Sequence, residues 1–218
     1  MAKLEKIEIP KYSLAEEITN GVIHGIGGLL SVAALVLLVV FSAIHNNVWA
    51  IVSTSIYGSM LIILYTMSTL YHSLKVNRAK KVFRIIDHCS IFLLIAGTYT
   101  PYTLVTLRGV VGWIIFGVVW GASIIGIVLT SIDIKKYKKI ITALYLIIGW
   151  IIIFAFKPLT VKLARGGLWL LISGGIVYTI GVIFYGFGRK YKFMHSVFHL
   201  FVLAGSILHF FSILLYVI

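Results

Sequence analysis

Seven apolar runs dominate this 218-residue chain, at roughly residues 22–44, 49–73, 85–107, 110–131, 140–156, 168–187 and 195–217. Each approaches the ~20 residues that an α-helix needs to cross about 30 Å of hydrocarbon, and a helix satisfies its own backbone where no water can. The connections between them are short, and the chain is 61% hydrophobic and 11% charged, with a mean hydropathy of +1.07. Such values exclude a soluble globule. The expected fold is an all-α, multi-pass cell-membrane protein: a single seven-helix transmembrane domain over residues 22–218, behind a polar tail of residues 1–21. The fifth run is the shortest. The first starts too late and runs too long for a cleavable signal peptide, with no small-residue cleavage site after it, so it is expected to stay as the first helix.

A net charge of +13 would suggest nucleic acid if it were gathered in one patch, but the basic residues are interleaved with the spans. They alternate by side. The tail (Lys3, Lys6, Lys11) and three connections (Lys75, Arg78, Lys80, Lys81, Arg84; Lys135, Lys136, Lys138, Lys139; Arg189, Lys190, Lys192) hold 15. The opposite side holds 4, Arg108, Lys157, Lys162 and Arg165. The positive-inside rule then places the N-terminus in the cytoplasm and the C-terminus outside. Membrane lipids are the expected partners, the basic rims suit anionic headgroups, and no nucleic acid is expected.

Given that orientation, the ionisable residues inside the runs fall at one depth. His24 opens the first helix from the cytoplasmic face, Ser68 and His72 close the second at it, Asp87 and His88 open the third, and His195 and His199 open the seventh. His45 sits on the outer side and His209 lies deeper. In "MHSVFH" the two histidines stand at i and i+4, on one helical face about a turn apart, as two ligands of one metal require. A third imidazole from the second helix would complete a three-histidine site with an open position. Zinc is the first choice, with copper, iron and nickel also suited to imidazole; the single cysteine, Cys89, excludes a thiolate cage and an intramolecular disulfide. Past residue 17 only Asp87 and Asp133 are acidic, and Asp133 falls in a basic connection. Asp87 is therefore the acid expected inside the bundle, placed to hold or deprotonate water at a metal.

Plainer roles exist for each residue. An i, i+4 histidine pair near a helix end serves equally as an interfacial hydrogen-bonding pair. Ser68 suits helix packing. Asp87 could pair with Arg84 or favour the start of the third helix through the macrodipole. His88, about 100° round the helix from Asp87, reads as an interface or supporting residue, and His209 as an interhelical donor about 15 Å beyond His199. The coincidence of depth across four segments favours the metal reading.

The blocks "EITNGVIHGIG", "STLYHS", "DHCSIFLLIAGTYTPY" and "MHSVFHLFVLAGSILHF" resemble the signature blocks of the hemolysin III proteins, which group with the progestin and adipoQ receptors. The resemblance spans essentially the whole chain. It implies that His72, His195 and His199 bind zinc and that Asp87 contacts the metal through water. Glu17, Asn20 and His24 match an E-x-x-N-x-x-x-H pattern, for which a structural or lid role is expected. Similarity to alkaline ceramidases implies a zinc-dependent hydrolase of a lipid amide or ester, with Asp87 as base and Ser68 at the oxyanion. The alternatives are a zinc-stabilised receptor or regulator of membrane lipid composition, and a cytolytic pore-forming hemolysin.

Overall fold

The computed structural model describes residues 7–45, 47–188 and 190–218. Lys3, Lys6 and Arg189, which entered the charge count, lie outside the described residues. The described chain forms α1 (Leu14–Ile44), α2 (Val48–Ser73), α3 (Arg78–Pro101), α4 (Val110–Asp133), α5 (Lys138–Gly149), α6 (Phe156–Lys162), α7 (Arg165–Phe187) and α8 (Met194–Tyr216), with no strand among the described residues. A π-helical turn, Tyr102–Thr106, continues α3, and a 3₁₀ segment, Ile151–Ala155, joins α5 to α6. Seven units are thus long and apolar enough to cross a membrane, as the sequence led us to expect.

Local chemistry sets where the helices start. Ser13 accepts a hydrogen bond from the Glu16 amide (3.3 Å) while the Glu16 carboxylate accepts from the Ser13 amide (2.9 Å), satisfying two exposed donors reciprocally. This cap starts α1 at Leu14, about two turns ahead of the apolar run, and so puts Glu16, Glu17 and Asn20 on helix rather than in a tail. Asn47 and Asn77 cap α2 and α3 by accepting from the amides of Ala50 (3.2 Å) and Lys80 (2.9 Å).

The fifth span is wound in two pieces. Its break frees backbone groups at membrane depth, and Tyr99 takes them up: the hydroxyl donates to the Gly149 carbonyl (2.9 Å) and accepts from the Ile152 amide (3.0 Å).

Around the bundle α1 packs on α2, α2 on α3 and α3 on α4, while α8 lies against both α1 and α7. α5 leans on α3 and α4, and Trp150 reaches across to α7, donating to the Thr179 hydroxyl (3.0 Å). The polarity of α1 is inverted relative to a soluble helix. Its buried stripe is Glu16, Asn20, His24, Gly27, Ser31, Ala34, Leu38 and Ser42, whereas Ile18, Val22, Ile26, Leu29 and Val36 face outward. Small and polar residues permit close helix approach, and apolar ones meet lipid. At Gly27 a Cβ would lie 2.5 Å from the Tyr65 ring, so glycine is what lets α1 seat on α2 beside His24.

Candidate metal centre

Four elements bring imidazoles to the end of the bundle where α1 begins. His72 ends α2, and His195 and His199 occupy the first turns of α8; all three are buried. Their ring centroids are separated by 5.4 Å (His72 to His195), 5.0 Å (His72 to His199) and 4.6 Å (His195 to His199). One nitrogen from each lies within 4.8 Å of the others, so the three could hold a metal ion. Ligands on a tetrahedral ion with bonds of about 2.0–2.1 Å sit roughly 3.3 Å apart, which small side-chain adjustments of this arrangement would reach.

The hydrogen bonds around the cluster fit such an ion. His72 Nδ1 is 2.7 Å from Glu17 Oε2, and because a carboxylate only accepts, the proton sits on Nδ1 and the Nε2 lone pair faces the cluster. That Nε2 is buried with no protein partner. The Nε2 atoms of His195 and His199 face each other at 2.9 Å, a contact that needs a shared proton or a cation between the lone pairs. Glu17 also takes the Lys80 ammonium (2.6 Å), which in turn donates to the Leu74 carbonyl (2.9 Å). A carboxylate that orients a ligand imidazole and raises its basicity is a recurrent support for bound metal. The Glu17→Gln variant is accordingly expected to bind metal about 10- to 100-fold more weakly, read by competition with a chromogenic chelator.

The start of α8 is tied to α1. Phe193, the residue before α8, has left-handed backbone (φ 60°), and its amide donates to Glu16 Oε1 (2.9 Å). The Ser196 hydroxyl donates to Asn20 Oδ1 (2.6 Å), and Asn20 Nδ2 lies 3.4 Å from His72 Nδ1. Glu16, Glu17 and Asn20 therefore lock α8, α2 and α1 into one register. Asn20 thus contacts α8, while Glu17 touches a cluster histidine directly.

His24 lies beside the cluster, its ring centroid 3.7 Å from that of His199 and 5.0 Å from that of Tyr65. A cavity of about 40 Å³ opens under the cluster, lined by Ser68, Asp87, His24, His195 and His199 among others. Ser68 and Asp87 interact side chain to side chain within it. Arg84 donates to the Glu8 carbonyl, and among the described residues it forms no ion pair with Asp87. Pro10 and Tyr12 also line the cavity, with Tyr12 stacked on His195 at 5.0 Å. Tyr12 and Lys80 were not singled out in the sequence. Lys80 read as a rim charge, yet its residue is only 2% exposed, because Glu17 and the Leu74 carbonyl draw it inward. His45 stays apart and exposed, bonded to the Phe41 carbonyl (2.8 Å).

A seven-helix, multi-pass membrane protein with a three-histidine cluster buried at one end of the bundle is the class these features define. The chain belongs to the family described as Haemolysin-III related, which matches residues 12–210. It is 42% identical to "Hemolysin-3" of Bacillus cereus over 98% of this chain and 97% of that protein. It is 43% identical to the "Hemolysin-3 homolog" of Bacillus subtilis (strain 168) over 94% and 96%. The human "Monocyte to macrophage differentiation factor" is 27% identical over 84% of this chain and 78% of that protein. No solved structure matches the chain.

Proposed function

We propose that the protein is a zinc-dependent hydrolase of a lipid amide or ester, with its site near the cytoplasmic face. The observation that carries this reading is the adjacency of two cavities that share part of their lining. The space beneath the histidines shares Leu64, His88, Ile91, Tyr185, Phe198 and Val202 with a larger cavity of about 150 Å³. Most of the walls of the latter are aliphatic and aromatic side chains of α3, α5, α7 and α8. A polar site at the end of an apolar slot suits a molecule with one reactive polar bond and a long apolar tail. A lytic pore would instead need a polar lining across the bundle.

A zinc ion held by His72, His195 and His199 would supply Lewis-acid polarisation of the lipid carbonyl and acidify water beside it. Asp87 is the acid within the cavity; it takes the proton of the attacking water and returns it to the departing alcohol or amine as the carbonyl C–O or C–N bond breaks. Ser68, on the facing turn of α2, donates to the oxygen on which negative charge develops. Pro10 and Tyr12 add apolar surface to the lining, and the lipid would enter sideways from the inner leaflet.

The test uses the full chain in nanodiscs, supplied with mixed ester and amide lipids. Mass spectrometry is expected to find free fatty acid released, with release abolished by a zinc chelator and restored by added zinc. Release that survives complete metal removal, or an absence of any product across both lipid classes, would overturn the reading.

Orientation rests on the 15 to 4 division of basic residues. A reporter fused after Ile218 is expected to be external, and one inserted between Lys75 and Arg84 cytoplasmic. The reverse pattern would place the cluster at the outer face.

A further inference from the structure

His209 stands apart from the metal centre and takes no part in the chemistry proposed above. It is 5% exposed and lines the far part of the apolar cavity, about 15 Å along α8 from His199. Its Nε2 lies 3.2 Å from the Leu171 carbonyl. A carbonyl only accepts, so Nε2 carries the proton and Nδ1 of the neutral ring is a bare acceptor. Nδ1 is buried and has no protein partner. The ring is held in place: Tyr178 stacks on it at 5.3 Å, and Gly174 leaves the space, since a Cβ there would lie 2.8 Å from Nε2.

A complementary donor lies in the same cavity. Tyr102, in the π-helical turn after α3, is 1% exposed, and its hydroxyl is also buried without a hydrogen bond. It sits beside Ser212, whose own proton goes to the Gly167 carbonyl (2.8 Å). An unmet acceptor and an unmet donor in one apolar cavity are costly on their own. An alcohol is the group that offers one of each in return.

We propose that the deep end of this cavity is a subsite for a hydroxyl carried far down a long acyl chain. His209 Nδ1 accepts the alcohol proton, and the Tyr102 hydroxyl donates to the alcohol oxygen. The slot suits a single flexible chain, because its volume of about 150 Å³ is lined by both Phe198 and His209, about 16 Å apart along α8. With the head of the lipid at the metal centre, the hydroxyl falls about 15 Å away, roughly a dozen bonds of an extended staggered chain. The inference rests on the lipid-chain part of the proposed function and not on hydrolysis.

The test compares 12-hydroxyoctadecanoic, 3-hydroxyoctadecanoic and octadecanoic acids as competitors of a fluorescent fatty acid on the full-length protein in nanodiscs. The 12-hydroxy acid is expected to bind about tenfold more tightly than octadecanoic acid, and the 3-hydroxy acid no better than octadecanoic acid. H209L is expected to erase the preference while retaining octadecanoic acid binding. Y102F, which keeps the ring, is expected to reduce the preference about threefold and guards against a misfolded H209L. Equal binding of the 12-hydroxy and octadecanoic acids would overturn the subsite, as it would if a water molecule held both groups. So would a preference that survives both substitutions. Failure of octadecanoic acid itself to bind would overturn the lipid-chain reading as well, which separates the two failures.

Discussion

Replacing any one of His72, His195 and His199 with Ala is expected to take metal content from about one ion per chain to near zero, measured by elemental analysis after purification at limiting metal. Two remaining imidazoles lack the convergent set that a tightly held tetrahedral ion needs, so a fall in affinity of more than about 100-fold is expected. The three sites differ in what they leave behind. His72→Ala leaves Glu17 with its Lys80 partner, so the carboxylate stays compensated and the bundle is expected to fold. His199→Ala opens space beside the His24 ring, 3.7 Å away, and a modest loss of thermal stability should accompany the metal loss. His209→Ala serves as the control. It lies too deep to coordinate and its unpaired nitrogen belongs to a different cavity wall, so metal content should not change. Full metal retention in a His72, His195, His199 triple variant would show that the cluster is not the binding site.

The spans and the cluster were legible in the sequence for the same reason. Lipid demands long apolar helices, and an imidazole placed within one is conspicuous against that background. Depth gathered His24, His72, His88, His195 and His199, the i, i+4 spacing paired the last two, and the family resemblance added His72; the structure brings His72, His195 and His199 within 4.8 Å. The start of α1 was harder to see. Glu16 and Glu17 look like tail residues by hydropathy, and only the Ser13 to Glu16 cap reveals that helix continues beneath them. Once it does, Glu17 falls one turn from Asn20 and reaches His72, a contact spanning most of two helices that no local pattern encodes. Lys80 was misread on similar grounds: charge counting treats every lysine as rim, whereas burial depends on a partner from another helix. The broken fifth span left only a faint trace, the shortness of its apolar run, because the compensating hydroxyl comes from Tyr99 on α3.

Asp87→Asn separates catalysis from structure. Asparagine is nearly isosteric and still forms hydrogen bonds to Ser68 and to water, so metal content and fold are expected to be retained. It cannot take up the proton whose transfer general-base catalysis requires, and turnover is expected to fall by about 100-fold or more. Ser68→Ala should cost less, about 10- to 100-fold, because it removes one donor to the developing oxyanion and leaves the base in place. Both should leave binding of an unreactive long-chain acid within about threefold of wild type, since neither residue lines the larger apolar cavity. Measured together in nanodiscs, release of fatty acid and binding of the acid then distinguish two proteins. If Asp87→Asn turns over like wild type while the histidine variants lose function, proton transfer is not the task of this site. The cluster would then serve a zinc-stabilised receptor or regulator of membrane lipid composition, in which Asp87 and Ser68 do no more than fasten α3 to α2.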